Sequence, residues 1–107
     1  VTSLNQKLLR RLAEQVPDVA LGWITLRPDA IRELEKGKNI FQYLLLPWGL
    51  CNPMITLYAK KQGLKVAAWT VNDPQIIRNL YRAKIDAVIT DYPSMAIPLL
   101  ASLTRNT

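Results

Sequence analysis

The chain has 107 residues, half of them hydrophobic, with a net charge of +6 and a sequence pI of about 9.8. That length suits one small domain, and that apolar fraction excludes an intrinsically disordered segment. The chain has no histidine, which excludes Ser-His and Cys-His hydrolase sites and zinc sites built on imidazole. Cys51 is the single cysteine, so neither an intrachain disulfide nor a cysteine metal cage is available. No apolar run is long enough to span a bilayer and no signal-peptide pattern opens the sequence. Opening on Val1 rather than methionine points to a processed product or an excised piece.

The elements follow one another in a regular rhythm. Leu4, Leu8, Leu9 and Leu12 share one face of a helix whose other face carries Gln6, Lys7, Arg10 and Glu14. Pro17-Asp18 ends it. Val19 to Thr25 reads as an apolar strand, and Pro28-Asp29 opens a short helix over Ala30 to Glu35 that Gly37 closes. Tyr43 to Pro47 is a second apolar strand. Asn52-Pro53 starts a helix whose inward stripe is Ile55, Tyr58 and Ala59, and Gly63 ends it. Lys65 to Val71 is a third strand, and Asn72-Asp73-Pro74 a capped helix start with Ile76, Ile77, Leu80 and Tyr81 facing inward. Asp86 to Thr90 is a fourth strand, and after Asp91-Tyr92-Pro93 a last helix covers about Ser94 to Leu103.

Strands that are apolar throughout, each followed by an amphipathic helix, predict a parallel sheet covered by helices. The short repeat fits a (β/α) barrel or part of one. A doubly wound sheet is the alternative, but no glycine-rich phosphate loop follows any strand. Four strands, with the tail of a fifth at Val1 to Ser3, make half of an eight-stranded barrel. Such a half exposes two strand edges and a sheet face, and a half-apolar chain of this size is expected to have apolar surface covered by other protein.

The basic residues are dispersed: Lys7, Arg10 and Arg11 in one helix, Lys36 and Lys38 in a turn, Lys60 and Lys61 in another helix, Arg78 and Arg82 in a third. A nucleic-acid face needs them along one groove, so no nucleic-acid partner is expected. Most carboxylates sit at helix starts, on helix faces or in turns, where capping or solvation explains them. Asp91 alone lies just past a strand's C-terminal end, where barrel active sites are built, and one carboxylate does not hold a hard cation. No catalytic constellation is present. The strand-end candidates are Thr25 and Leu26, Trp48, Trp69 with Asn72, and Thr90 with Asp91. By itself Trp69 reads as a core aromatic and Trp48 as a barrel cap or pocket wall. Asn72 and Asp73 read as helix caps, and Asp91 as a cap of the last helix or a rim partner.

Two segments are more specific. Val66-Ala-Ala-Trp-Thr-Val-Asn72, then a helix, then Ile85-Asp-Ala-Val-Ile-Thr-Asp-Tyr-Pro93 resemble the closing segment of glycerophosphodiester phosphodiesterases. Gly63-Leu-Lys-Val66 is similar to that family's lead-in, with Lys60 or Lys61 where a histidine often stands. Pro17-Asp-Val-Ala-Leu-Gly22 resembles its fifth strand. Val1-Thr-Ser-Leu-Asn5 resembles the end of its fourth, with Leu4 in place of the usual Phe. The resemblance covers the whole chain and only the last half of the family's domain.

The resemblance implies the C-terminal half of a TIM-type (β/α)8 barrel, an α/β fold of about four βα units with a parallel sheet, residues 1–107 forming a single partial domain. It implies a parent enzyme that hydrolyses glycerophosphodiesters to glycerol 3-phosphate and an alcohol. The two acid–base histidines and the ligands of a divalent cation, calcium or magnesium, lie in motifs that precede this sequence. The fragment alone is therefore expected to bind no cofactor and to be inactive. The same resemblance turns Trp69 toward a pocket wall near the glycerol moiety and carries Asn72 and Asp91 over as rim-organising residues. The substrate-binding candidates are then Trp69, Asn72 and, from its strand-end position alone, Trp48, with Asp91 and Thr90 as rim residues. Expected partners are the missing N-terminal half of the barrel and a second copy joined through the open sheet edges. A parent in the cytoplasm and one at a membrane fit equally. The alternative is a non-enzymatic α/β interaction module that binds anionic lipid or a protein partner.

Overall fold

The structure is a computed structural model that describes residues 2–3, 5–16, 18, 20–26 and 42–105. Five strands form one sheet: β1 (Thr2–Ser3), β2 (Gly22–Ile24), β3 (Tyr43–Pro47), β4 (Lys65–Trp69) and β5 (Ala87–Val88). They lie in sequence order and every neighbouring pair is parallel. Helices α1 (Gln6–Gln15), α2 (Pro53–Lys61), α3 (Pro74–Arg82) and α4 (Pro93–Arg105) connect or follow the strands, and a 3₁₀ turn, Trp48–Leu50, leads from β3 to α2. Parallel strands in sequence order, each joined to the next by a crossover, are the build of a (β/α) barrel. The predicted helix over Ala30 to Glu35, and the turn with Lys36 and Lys38, lie outside the described residues.

The two faces of the sheet differ. Trp23 pairs with Leu44, Leu44 with Val66, and Leu46 with Ala68, so these side chains share the outer face. There they pack with Leu9 of α1 and Ala59 of α2 into a buried cluster. A second cluster joins Ala68 and Val71 to Ile77 and Leu80 of α3 and Ala96 of α4. Cys51 and Ile85 pack against both clusters. The opposite, inner face carries Gly22, Tyr43, Leu45, Ala67 and Trp69, with no described helix over it.

The sequence signals at both ends of α2 and at Asp73-Pro74 hold. The Asn52 side chain accepts the Ile55 N–H and Pro53 follows at the first helical position of α2; Asp73 and Pro74 do the same for α3. At the end of α2, Gly63 takes φ 78°, and the N–H groups of Gly63 and Leu64 reach back to the carbonyls of Lys60 and Ala59. The end of α3 repeats this geometry with Lys84 at φ 66°, a conformation that glycine adopts without cost.

Several expectations need correction. Among the described residues, the strands predicted over Val19–Thr25, Lys65–Val71 and Asp86–Thr90 contract to Gly22–Ile24, Lys65–Trp69 and Ala87–Val88. At the last of these, the Asp86 carboxylate accepts the Val66 N–H at 2.8 Å, so a side chain takes the place of a ladder carbonyl. The inward stripe of α1 is Leu9 with Leu12 and Ala13, while Leu8 is exposed. On α2, buried Thr56 rather than Tyr58 completes the inner face. Its hydroxyl lies 2.9 Å from the Pro53 carbonyl and 2.8 Å from that of Ala83, tying α2 to the end of α3. The last helix extends to Arg105 despite Pro98, whose ring sits on the exposed side.

Candidate functional site at the C-terminal rim of the sheet

Barrel chemistry is built where strands end and helices begin. Here that rim consists of Thr25 after β2, Pro47 and Trp48 at the end of β3, Trp69 to Asn72 after β4, and Ile89 to Asp91 after β5. Register places Trp69 beside Pro47. Ladder-like bonding continues past the strands, because Ile89 N–H donates to the Ala68 carbonyl and Val71 N–H to that of Ile89, both at 2.8 Å. Thr25 is buried and its N–H reaches the Leu45 carbonyl at 3.1 Å.

One side chain holds two rim loops together. Asn72 donates from Nδ2 to Asp91 Oδ2 at 3.0 Å, and its Oδ1 accepts from the Asp91 N–H at 3.0 Å and the Thr90 hydroxyl at 3.2 Å. Thr90 Oγ1 in turn accepts the Tyr92 N–H at 3.0 Å, setting up the first turn of α4. Asn72 is therefore no helix cap. That role belongs to Asp73, whose carboxylate takes the Gln75 N–H at 2.7 Å. Asp91 pairs within the rim. The network brings together three of the residues singled out from sequence, Asn72, Thr90 and Asp91.

Trp69 is half-buried at the end of β4, and its indole N–H is buried with no hydrogen-bond partner. A donor left unpaired away from water is costly, on the order of 1–3 kcal/mol. Trp48, 43% exposed on the 3₁₀ turn after β3, faces solvent. Leu26 is exposed as well.

The rim residues do not suit a metal ion. Among the described residues no group of three His, Cys, Asp or Glu is close enough to hold one. The Asp91 carboxylate is engaged by Asn72, and burial pushes the Cys51 thiol up to about 11, which keeps it protonated and a poor ligand. A pocket of about 250 Å³ lies elsewhere, toward the N-terminal ends of β2 and β3, lined by Thr2, Ala20, Leu21, Gly22, Tyr43, Leu45 and Ala67. It is the floor of the sheet, not its rim. Sequence reading passed over two residues: Gly22 in this pocket, whose missing side chain leaves room for Leu45, and Asp86, which accepts the Val66 N–H. An apolar run interrupted by glycine was the signal for the first.

The family model for glycerophosphoryl diester phosphodiesterases matches residues 9–95, from α1 to the first turn of α4. The chain belongs to that family. A Bacillus subtilis protein, YhdW, whose name assigns it to the glycerophosphodiester phosphodiesterases, is 26% identical over 101 residues, which is 91% of this chain and 41% of that protein. Solved structures carry the same fold. A phosphodiesterase from Oleispira antarctica, determined with the product sn-glycerol-3-phosphate, superposes with a TM-score of 0.77 at 23% identity, over 94% of this chain and 40% of that one. A glycerophosphodiester phosphodiesterase from Thermotoga maritima gives a TM-score of 0.64 at 24% identity, over 95% of this chain and 45% of that one. The chain thus spans about 40–45% of the length of these relatives, and its five parallel strands are the corresponding part of a TIM-type barrel.

Proposed function

We propose that the chain forms the glycerol-side wall and the C-terminal rim of a glycerophosphodiester phosphodiesterase barrel. The whole enzyme splits a glycerophosphodiester with water: the water oxygen joins phosphorus, the phosphorus–oxygen bond to the alcohol breaks, and that oxygen takes a proton. Glycerol 3-phosphate and the free alcohol result. The observation that carries this reading is the family match over residues 9–95, combined with Trp69 at the end of β4 beside Pro47 and the Asn72–Asp91 clasp between the next rim loops.

In this reading the ring of Trp69 presents an apolar wall to the glycerol carbons, with Trp48 flanking the mouth. Asn72 and Asp91, with Thr90, hold the loops on which Trp69 depends and touch no reacting atom. Acid–base groups come from residues outside this chain, which has no histidine. So do the ligands of the divalent cation, calcium or magnesium, that the whole enzyme is expected to use. The edges at β1 and β5 and the inner face receive the rest of the barrel, and in its absence copies of this chain associate through them.

The test is hydrolysis of glycerophosphocholine, with calcium or magnesium added, by this chain alone and after mixing with the N-terminal half of a family barrel. Silence alone and turnover on mixing support the reading. Turnover by the chain alone refutes it.

A further inference from the structure

The outward face of α2 is unlike that of an ordinary barrel helix. Met54, Leu57, Tyr58 and Lys61 fall at spacings of three, four and seven residues, and all are exposed: Met54 80%, Leu57 55% and Tyr58 36%. Isolated exposed apolar residues are common on any surface, but a continuous stripe along one helix marks a contact surface. The rest of the barrel does not cover it, because α2 lies on the outer face over the interior strands β3 and β4, away from both sheet edges.

The charged residues of α2 are of one sign. Lys60 and Lys61 end α2, and Thr56, one turn before Lys60, is bonded to the Ala83 carbonyl. That contact sets the end of α3 against the N-terminal half of α2. No acidic residue occurs between Glu35 and Asp73. A second copy meeting this face about a two-fold axis would set these lysines against themselves. An anionic lipid surface accepts both features, with the apolar stripe entering the headgroup boundary and the lysines meeting phosphates.

We propose that α2 is a docking surface for an anionic bilayer, with Met54, Leu57 and Tyr58 inserted and Lys60 and Lys61 on the headgroups. The proposal is independent of the enzymatic reading. It is tested by co-sedimentation of the chain with vesicles of phosphatidylcholine alone and of phosphatidylcholine with phosphatidylserine at about 7:3. The expected result is binding to the anionic vesicles only, weakened by salt as screening requires. Met54→Glu with Leu57→Glu should lower that binding about tenfold or more through lost insertion. Lys60→Glu with Lys61→Glu should abolish the preference for phosphatidylserine. Both pairs are solvent-facing, so the circular dichroism should be unchanged. Should the glutamates disturb α2, Met54→Ser with Leu57→Ser makes the same comparison. No binding to anionic vesicles overturns the proposal, as does equal binding by the Met54/Leu57 variants. A parent dimer that dissociates on the Met54/Leu57 substitution also overturns it, because a second copy then covers the stripe.

Discussion

Asn72 and Asp91 grip each other twice: the amide of Asn72 donates to the Asp91 carboxylate, and its oxygen accepts the Asp91 backbone N–H, each at 3.0 Å. This reciprocal pair spans the loops after β4 and β5, which are otherwise joined by the Val71 and Ile89 backbone bonds. Asn72→Ala removes three hydrogen bonds from an exposed network. It should cost about 1–2 kcal/mol, read as a lower urea midpoint with unchanged slope. Asn72→Asp should be at least as harmful, because it loses the donor and sets a second carboxylate against Asp91. A midpoint within error of the parent for both variants would remove Asn72 from any organising role.

Gly22 is required by space. A Cβ built there would lie 2.7 Å from Leu45 Cδ1 and 3.0 Å from Thr2 Cγ2. Gly22→Ala should therefore destabilise by about 1–3 kcal/mol. The closest atom is the tip of a side chain, so Gly22→Ala with Leu45→Ala should cost less than the sum of the two single changes. A double-mutant cycle in urea checks this, and strict additivity would refute the steric account.

Lys84 holds a left-handed backbone at the end of α3, where Gly63 does the same for α2. Lys84→Gly should raise stability by up to about 1 kcal/mol by relieving the Cβ clash. Gly63→Ala should lower it by a similar or larger amount. Thermal midpoints of the two variants, moving in opposite directions, are the expected outcome.

Cys51 sits against both core clusters, and burial raises its pKa from 9.0 to about 11. On unfolding, the thiol releases its proton at the lower value. Its contribution to stability is therefore complete below about pH 9 and is lost as the pH rises toward about 11. The parent should lose more stability between about pH 8 and pH 10.5 than Cys51→Ala does, and alkylation of the native thiol near pH 8 should be slow. Parallel pH profiles for the two proteins would contradict this.

The sequence by itself determined the parallel βα order, the caps at Asn52 and Asp73, the glycine stop at Gly63, the buried faces of α3, and the family. Each of these rests on local chemistry: a cap needs its oxygen two or three residues from the N–H it accepts, and periodicity is read along one element. Where local signals were weak the reading slipped, as with Tyr58 placed inward while Thr56 anchors α2. Strand ends were overdrawn as well, because Asp86 pairs through its side chain with Val66, a residue distant in sequence.

Only the tertiary structure decided which residues meet across the sheet. It set Trp69 beside Pro47, made Asn72 the clasp of Thr90 and Asp91, and left no Cβ space at Gly22 against Leu45. It also turned Met54 and Leu57 outward into one stripe on the helix that ends in Lys60 and Lys61. These relations depend on strand register and on the rotation of each helix over the sheet. Both are set by the packing of the whole core, so no single stretch of sequence contains them.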